Sequence, residues 1–374
     1  MNIQGPFTRI SFEEMNLNSH DQVKDYLLSV GWQPTQWNYK KEGKRWVYDD
    51  RGDKIKTSPK LTEDSFPSVK GEIPRLIVRR SVLNHRRSLI SNLRDPENKG
   101  WLSHIRENGR IPACGIPQAT PTGRWRHSVI VNCPSAKSIY GPEVRSLFTV
   151  DPGRVMVGVD ATAIEARCQA HNIMPYTGGV EYAKLLLEGD IHARNASLFE
   201  CTRDEAKSPY YALLFGASAG KVSETLGVDA RRGQELFDQF WDGNQCLREL
   251  KAGLEVEFNS HGGKRGGYIR GLDGRKLYGR SAHSLVNLKL QSDAAILFKT
   301  AMTFLFSSWV PKRGLDAKLV MNFHDEMDAD VAECDVEEYL MLALKSFEAA
   351  GRYYNYRVPI IGAGKVGEDW FQVH

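Results

Sequence analysis

The segment Ala317–Val331 constrains the fold more than any other: Ala-Lys-Leu-Val-Met-Asn-Phe-His-Asp-Glu-Met-Asp-Ala-Asp-Val. An apolar run enters a short turn at His324–Asp325–Glu326, and a run alternating apolar with acidic residues leaves it. Two β-prone stretches around a tight polar turn predict a hairpin with carboxylates at its tip. Adjacent carboxylates repel each other. Taken alone, the turn has two readings: a solvated acidic loop, or a site where a divalent cation neutralises the carboxylates.

A chain of 374 residues is long enough for two to three packed subdomains, and 41% hydrophobic with 26% charged residues is a globular composition. No uninterrupted apolar run reaches the roughly 18 residues that would span a bilayer, and the start Met-Asn-Ile-Gln-Gly-Pro is too polar for a signal peptide. The expectation is a protein without a membrane, in the cytoplasm, or the host cytoplasm if it is encoded by a phage. The six cysteines are scattered with no Cys-x-x-Cys pair, which argues against a zinc site or a disulfide framework. A net charge of +4 says little about a polyanionic partner, so the distribution of charge matters more than its sum.

Along the chain, Ser19 suits an N-cap for a helix whose Val23, Tyr26 and Leu27 share a face and which stops near Gly31. Residues 38–60 mix lysine and glycine with Trp46 and Tyr48, as a surface hairpin or loop would. Pro74 to about Leu93 reads as a helix carrying Arg75, Arg79, Arg80, Arg86 and Arg87 beside an apolar stripe. That charged face is either solvated or tracks a phosphate backbone. Gly109 to Pro134 is loop and short-strand sequence with Arg124, Arg126 and His127 close together. Val155–Asp160 is a short apolar strand ending in an acid, which either caps the following helix or ligates a metal.

Asp190 opens another helix. The next, predicted over Thr202–Phe215, sets Arg203, Lys207, Tyr211 and Phe215 at i, i+4, i+8 and i+12. At about 1.5 Å per residue this stripe is about 18 Å long, enough to lay a triphosphate against the cations and a base against the aromatics. An aromatic core face flanked by surface charges fits the same spacing. Pro209 suits no helix interior. Residues 230–260 read as one long amphipathic helical segment, Gly271–Arg280 lies in a hairpin, and a helix from Ser284 to Leu305 carries Asn287 and Gln291 one turn apart. A final amphipathic helix is expected over Val336–Ala350.

Taken in order, these segments resemble the polymerase domain of family A DNA polymerases, in particular the phage replicative branch. Val159-Asp160-Ala-Thr-Ala-Ile-Glu165-Ala-Arg167 is similar to the family's first palm motif, Asp-Tyr-Ser-Gln-Ile-Glu-Leu-Arg. Arg203-x-x-x-Lys207-x-x-x-Tyr211 followed by Phe215-Gly216 resembles the fingers-helix motif. Phe323-His324-Asp325-Glu326 resembles the Val-His-Asp-Glu hairpin, Thr122-Gly-Arg124 a minor-groove contact, and Asn287/Gln291 the Asn-x-x-x-Gln pair of a template-contacting helix. Gly271-Leu-Asp-Gly-Arg-Lys and the terminal His374 point to the phage branch. The likeness runs from about Asn16 to the end.

The resemblance implies an α+β right-hand polymerase with an antiparallel palm sheet, helical fingers and a partial helical thumb. Residues 1–108 would be partial thumb and connection, 109–175 palm, 176–285 fingers and 286–374 palm again. It implies Mg²⁺-dependent nucleotidyl transfer from dNTPs to a primer 3′-hydroxyl by two ions, with Mn²⁺ as a substitute. Asp160, Asp325 and the Ala161 carbonyl would hold the ions, with Glu326 in support. Arg203, Lys207 and His192 would grip the triphosphate, with Lys207 as general acid. Tyr211 would stack on the incoming base, near Phe215, and Glu165 would occupy the space of a 2′-hydroxyl. Arg124, Asn287, Gln291 and His324 would read minor-groove acceptors of the primer–template DNA.

Three departures from the family pattern stand out: Phe215 for a tyrosine whose hydroxyl could bond Glu165, Pro209 inside the fingers helix, and Ala163 for a polar residue. Without an exonuclease region or the outgoing half of a thumb, the chain reads as one part of a split polymerase. A second polypeptide would carry the 3′–5′ exonuclease and the remaining thumb, with a processivity factor or helicase as further partners; an engineered or evolved stand-alone fragment is the competing origin. The competing functions are a single-subunit-type RNA polymerase and a non-catalytic DNA-binding subunit.

Overall fold

The computed structural model describes residues 14–43, 45–49, 54–92, 100–323 and 325–374. It divides into two compact units: Met1–Arg110 with Asn132–Val144, and Ile111–Val131 with Arg145–His374.

In the first unit the helix His20–Ser29 starts where expected, with the Ser19 hydroxyl accepting from the Gln22 amide. Its Val23 and Leu27 join Trp32, Val69, Ile77 and Val78 in a small core. Gln36–Tyr39 pairs antiparallel with Lys56–Lys60, so the aromatic and lysine-rich stretch is indeed a hairpin-like sheet. The arginine helix spans Glu72–Ile90. Its cations are neither simply solvated nor uniformly displayed. Arg86 is buried and donates to Glu63 at 2.5 Å and to the Ile139 carbonyl at 3.1 Å, while Arg80 donates to the Leu17 carbonyl at 2.8 Å. Arg79 donates to the Tyr140 hydroxyl. Burial makes the Arg86 guanidinium structural, because a charge removed from water must be paired.

The second unit is built on a four-stranded antiparallel sheet in the order Ala317–Phe323, Glu326–Ala332, Arg154–Ala161, Gly362–Gly367. The predicted hairpin forms, with Phe323 opposite Glu326. Alternation decides the faces. Met327, Ala329 and Val331 point into the main core, and the helix Val336–Tyr353 packs on that side. Glu326, Asp328 and Asp330 point to the other side, which the C-terminal turn Trp370–Val373 covers, so these acids are buried as well. Gly158 lies opposite Asp328, and a Cβ there would sit 2.8 Å from the Asp328 carboxyl and 2.9 Å from the Val373 carbonyl, which is why this apolar strand carries a glycine. Asp330 is neutralised by Arg154, which also pairs with Asp316.

Helices make up the middle of this unit. The 230–260 segment is two helices, Ala230–Asp242 and Gln245–Ser260, rather than one. Gly243 ends the first, and the Asn244 side-chain amide donates to the Phe240 carbonyl at 2.6 Å, closing its last turn. Helix Leu285–Phe304 continues through a π-turn at Leu305–Trp309. The whole run Ala282–Arg313 has a mean hydropathy of 1.3 in its most apolar window, long and apolar enough to cross a membrane by length and composition. Counting only uninterrupted apolar runs misses it, because Lys289, Gln291 and Asp293 break the sequence. Here Leu285, Leu290, Leu297 and Phe298 are buried in the protein core.

Candidate active site

Register creates the acidic centre. Glu326 lies directly opposite Asp160, and the Ala161 amide donates to the Asp325 carbonyl at 2.9 Å. Two acids 165 positions apart in sequence thus emerge side by side where the hairpin tip meets the end of the central strand. Asp160 reaches solvent, yet protein atoms crowd its carboxyl, and its pKa is pushed up to about 6 by burial, then by the charges of Asp325 and Glu326. Glu326 is buried and held by the C-terminal His374, whose Nδ1 lies 2.5 Å from its carboxylate. Burial and the charge of Glu326 push Asp328, beneath it, well above the usual carboxylate range.

This donor set fits a divalent cation. Hard carboxylate oxygens converge under mutual repulsion, which a cation relieves. Among the described residues no cluster of three His, Cys, Asp or Glu side chains forms a ready-made metal cage. The expected set of two aspartates and one main-chain carbonyl asks for none. His324 lies outside the described residues.

The cationic group departs from its expected form. The helix begins at Lys207, not Thr202, and runs to Leu214, so Arg203 stands on the preceding turn and the four residues do not share one continuous helix. Pro209 supplies the reason. At the third helical position its missing N–H belongs to the first turn, where no intrahelical acceptor is needed, and the ring leaves no kink. Arg203 instead donates to Asp190 at 2.6 Å, and Lys207 to Asp204 at 2.8 Å. Each cation holds its exposed aspartate below the usual carboxylate range. Asp190 also caps the helix Ile191–Phe199, accepting from the His192 and Ala193 amides at 3.0 and 2.9 Å.

His192 is packed edge-on against Tyr210 and tilted against Tyr211. Burial, then the charges of Lys207 and Arg203, lowers its pKa and favours the neutral ring. The adjacent tyrosines part company: Tyr210 is buried and donates to Gln169 at 3.0 Å, whereas Tyr211 is 42% exposed with Phe215 beside it. A pure core stripe would not expose Tyr211 and Phe215 together.

Arg124 and Glu165, expected to act on different parts of a substrate, form an ion pair with each other. Sequence reasoning missed this pair because the partners are 41 residues apart with nothing local to link them. It also missed Asp190 and Asp204 as resting partners of the cations, although the cap position of Asp190 could have signalled the first. Asn287 and Gln291 sit one turn apart and half-buried on Leu285–Phe304, and the Asn287 side-chain carbonyl is buried with no hydrogen-bond partner among the described residues.

Comparison with known proteins places this geometry in a family. A sequence model described as DNA polymerase family A matches residues 2–372. The chain belongs to that family. It is 27% identical over 403 residues to the DNA-directed DNA polymerase of Escherichia phage T7, covering 99% of this chain and 54% of that protein. It is 28% identical over 397 residues to the thermostable DNA polymerase I of Thermus filiformis, covering 99% of this chain and 43% of that protein. The chain therefore spans about half the length of these relatives. Among solved structures, the POL domain of Pol1 from M. smegmatis, in complex with DNA primer-template and dNTP, superposes with a TM-score of 0.70 at 20% identity over 96% of this chain and 62% of that one. The fold is that of a right-hand polymerase, as expected.

Proposed function

We propose that the chain is a DNA-directed DNA polymerase that transfers nucleotides from dNTPs to a primer 3′-hydroxyl. The observation that carries this reading is the strand register that sets Asp160 beside the hairpin tip at Asp325 and Glu326. Asp160, Asp325 and the Ala161 carbonyl are the groups that would hold Mg²⁺, with Mn²⁺ as a substitute. When bound, such ions acidify the attacking hydroxyl and neutralise the leaving phosphates. Glu326, anchored by His374, keeps the hairpin tip in place.

Arg203 and Lys207 are positioned to exchange Asp190 and Asp204 for a triphosphate. Exposed ion pairs contribute little, so trading them for charge-assisted bonds to phosphate is downhill. Lys207 donates a proton to the departing pyrophosphate, and neutral His192 adds a further contact. Tyr211 stacks on the incoming base, and Phe215 extends that surface. Glu165 closes the space beside the sugar C2′, and Arg124, Asn287, Gln291 and His324 meet minor-groove acceptors of the primer–template. In this reading residues 109–175 and 286–374 form the palm, 176–285 the fingers, and 1–108 part of a thumb.

The helix Glu72–Ile90 exposes Ile73, Leu76 and Leu83 on one side. That apolar face supports docking of a second polypeptide that carries a 3′–5′ exonuclease and the rest of the thumb. Primer extension is the test. With a primed template, dNTPs and Mg²⁺, the chain extends the primer, and chelation stops it. Preference for ribonucleotides, or unchanged extension by Asp325→Asn, overturns the reading. Full processive synthesis by the chain alone overturns the two-chain arrangement only.

A further inference from the structure

The Arg124–Glu165 ion pair has a built setting on both sides. Arg124 follows a turn that the rest of the second unit pins. The Thr120 hydroxyl meets the Arg124 carbonyl at 3.2 Å, and Lys299, from the long core helix, donates to the Gly123 carbonyl at 2.5 Å. Gly123 has φ +76°, and a Cβ there would lie 3.1 Å from the Arg275 guanidinium, so a side chain at this position would strain the backbone and press on Arg275. Glu165 stands in the first turn of the helix Ile164–Ile173, five residues beyond Asp160. Burial, then the charge of Glu165, raises the Tyr211 phenol above its ordinary value. Phe215, the next aromatic on that side, has no hydroxyl to offer. Among the described residues, the Arg124 guanidinium is the hydrogen-bond donor that meets the Glu165 side chain.

We propose that Arg124 is the positioning residue for Glu165: it aims the carboxylate at the sugar site and thereby sets discrimination between deoxyribo- and ribonucleotides. The inference rests on the reading of Glu165 as the wall beside the sugar C2′. A glutamate has three rotatable bonds and would otherwise sweep out of the way, whereas a guanidinium on a pinned turn fixes where its oxygens lie. Glu165 and Arg124 then act as a unit. A contact of Arg124 with DNA alone would lower the rates for both sugars equally and leave their ratio untouched.

The experiment measures single-nucleotide incorporation on a primed template with dNTP and with rNTP, for wild type, Arg124→Met, Glu165→Ala and the double variant, with thermal melts as a folding control. Arg124→Met is expected to cut the ratio of the two kcat/KM values about fivefold, the scale of a partly exposed ion pair. In the Glu165→Ala background the same change is expected to leave the ratio where Glu165→Ala put it, since partners in one pair are not additive. Arg124→Lys, with a single ammonium, is expected to fall between wild type and Arg124→Met, and it decides the matter if the methionine variant extends too slowly. An unchanged ratio in both Arg124 variants, or the same loss with and without Glu165, overturns the proposal. If Glu165→Ala itself keeps the wild-type ratio, the reading of Glu165 as the sugar wall has failed, and the proposal with it.

Discussion

The acidic centre and the cationic turn are prepared in opposite ways. At the centre, backbone register fixes Asp160 beside Asp325, and the neighbouring Glu326 and Asp328 are buried. The backbone holds these acids together, and their mutual repulsion is what a divalent cation would relieve. Around Lys207, the side chains of Arg203 and Lys207 are 53% and 43% exposed, and their partners Asp190 and Asp204 are 40% and 84% exposed. Those pairs are cheap to break. One half of the site is fixed by the backbone and crowded with negative charge, and the other is neutralised by exposed pairs that can change partners. A polymerase needs both: a fixed reference for the reacting oxygens, and a surface that closes on each new triphosphate.

The sharpest way to break this contrast is Asp325→Asn. If the centre holds catalytic ions worth several kcal/mol of charge stabilisation, extension falls on the order of a thousandfold or more. The melting temperature should hold or rise, because the substitution relieves repulsion. Loss within tenfold in a primer-extension assay would remove the hairpin from the chemistry. Next in size is Lys207→Ala. A general acid is worth about 10²–10⁴ in rate, so kcat should drop far more than KM rises. Arg203→Ala should act mainly on KM, and single-turnover kinetics at saturating dNTP separate the two.

A smaller effect concerns pH. The folded Asp160 carboxyl is raised from 3.8 to about 6, so between those values the native chain holds a proton that the unfolded chain releases. Its contribution to stability is therefore greatest at the acid end and falls as pH climbs through that window. Asp160→Asn should flatten this part of the profile, and Mg²⁺ should raise the wild-type melting temperature above about pH 6 but progressively less below it. Melts across pH at fixed ionic strength check the sign, and a difference curve that rises with pH would contradict the crowding at the centre. Smallest is Pro209→Ala. A proline kinking a helix interior would cost about 3 kcal/mol, and its removal would be visibly stabilising. In the first turn it costs little, so urea titration should find a change within about 1 kcal/mol.

Much of this was legible because local chemistry dictated it. The period-two pattern of 317–331 gave the hairpin, Ser19 and Asp190 marked helix starts, and the ordered motifs from Asp160 to Asp325 identified the family. What failed shows where local reasoning ends. The stripe Arg203–Phe215 assumed that spacing outranks a proline, but steric exclusion at Pro209 moved the helix start to Lys207. The apolar residues of 230–260 suit one helix or two, and one glycine and one asparagine side chain divide the segment. The arginines of Glu72–Ile90 could not be sorted in sequence, since burial of Arg86 depends on Glu63 and Ile139 arriving from elsewhere.

Residue types, the period of each element, and hence the family and its candidate chemistry are local properties that the chain carries before it folds. Partnership is a property of the folded chain. Asp160 meets Asp325 through strand register, Arg124 meets Glu165 across 41 residues, and Arg203 and Lys207 rest on Asp190 and Asp204. The physical reason is range: propensity and periodicity act over a turn or a strand. Charge pairing and burial are set by whichever distant segments the packed core brings together.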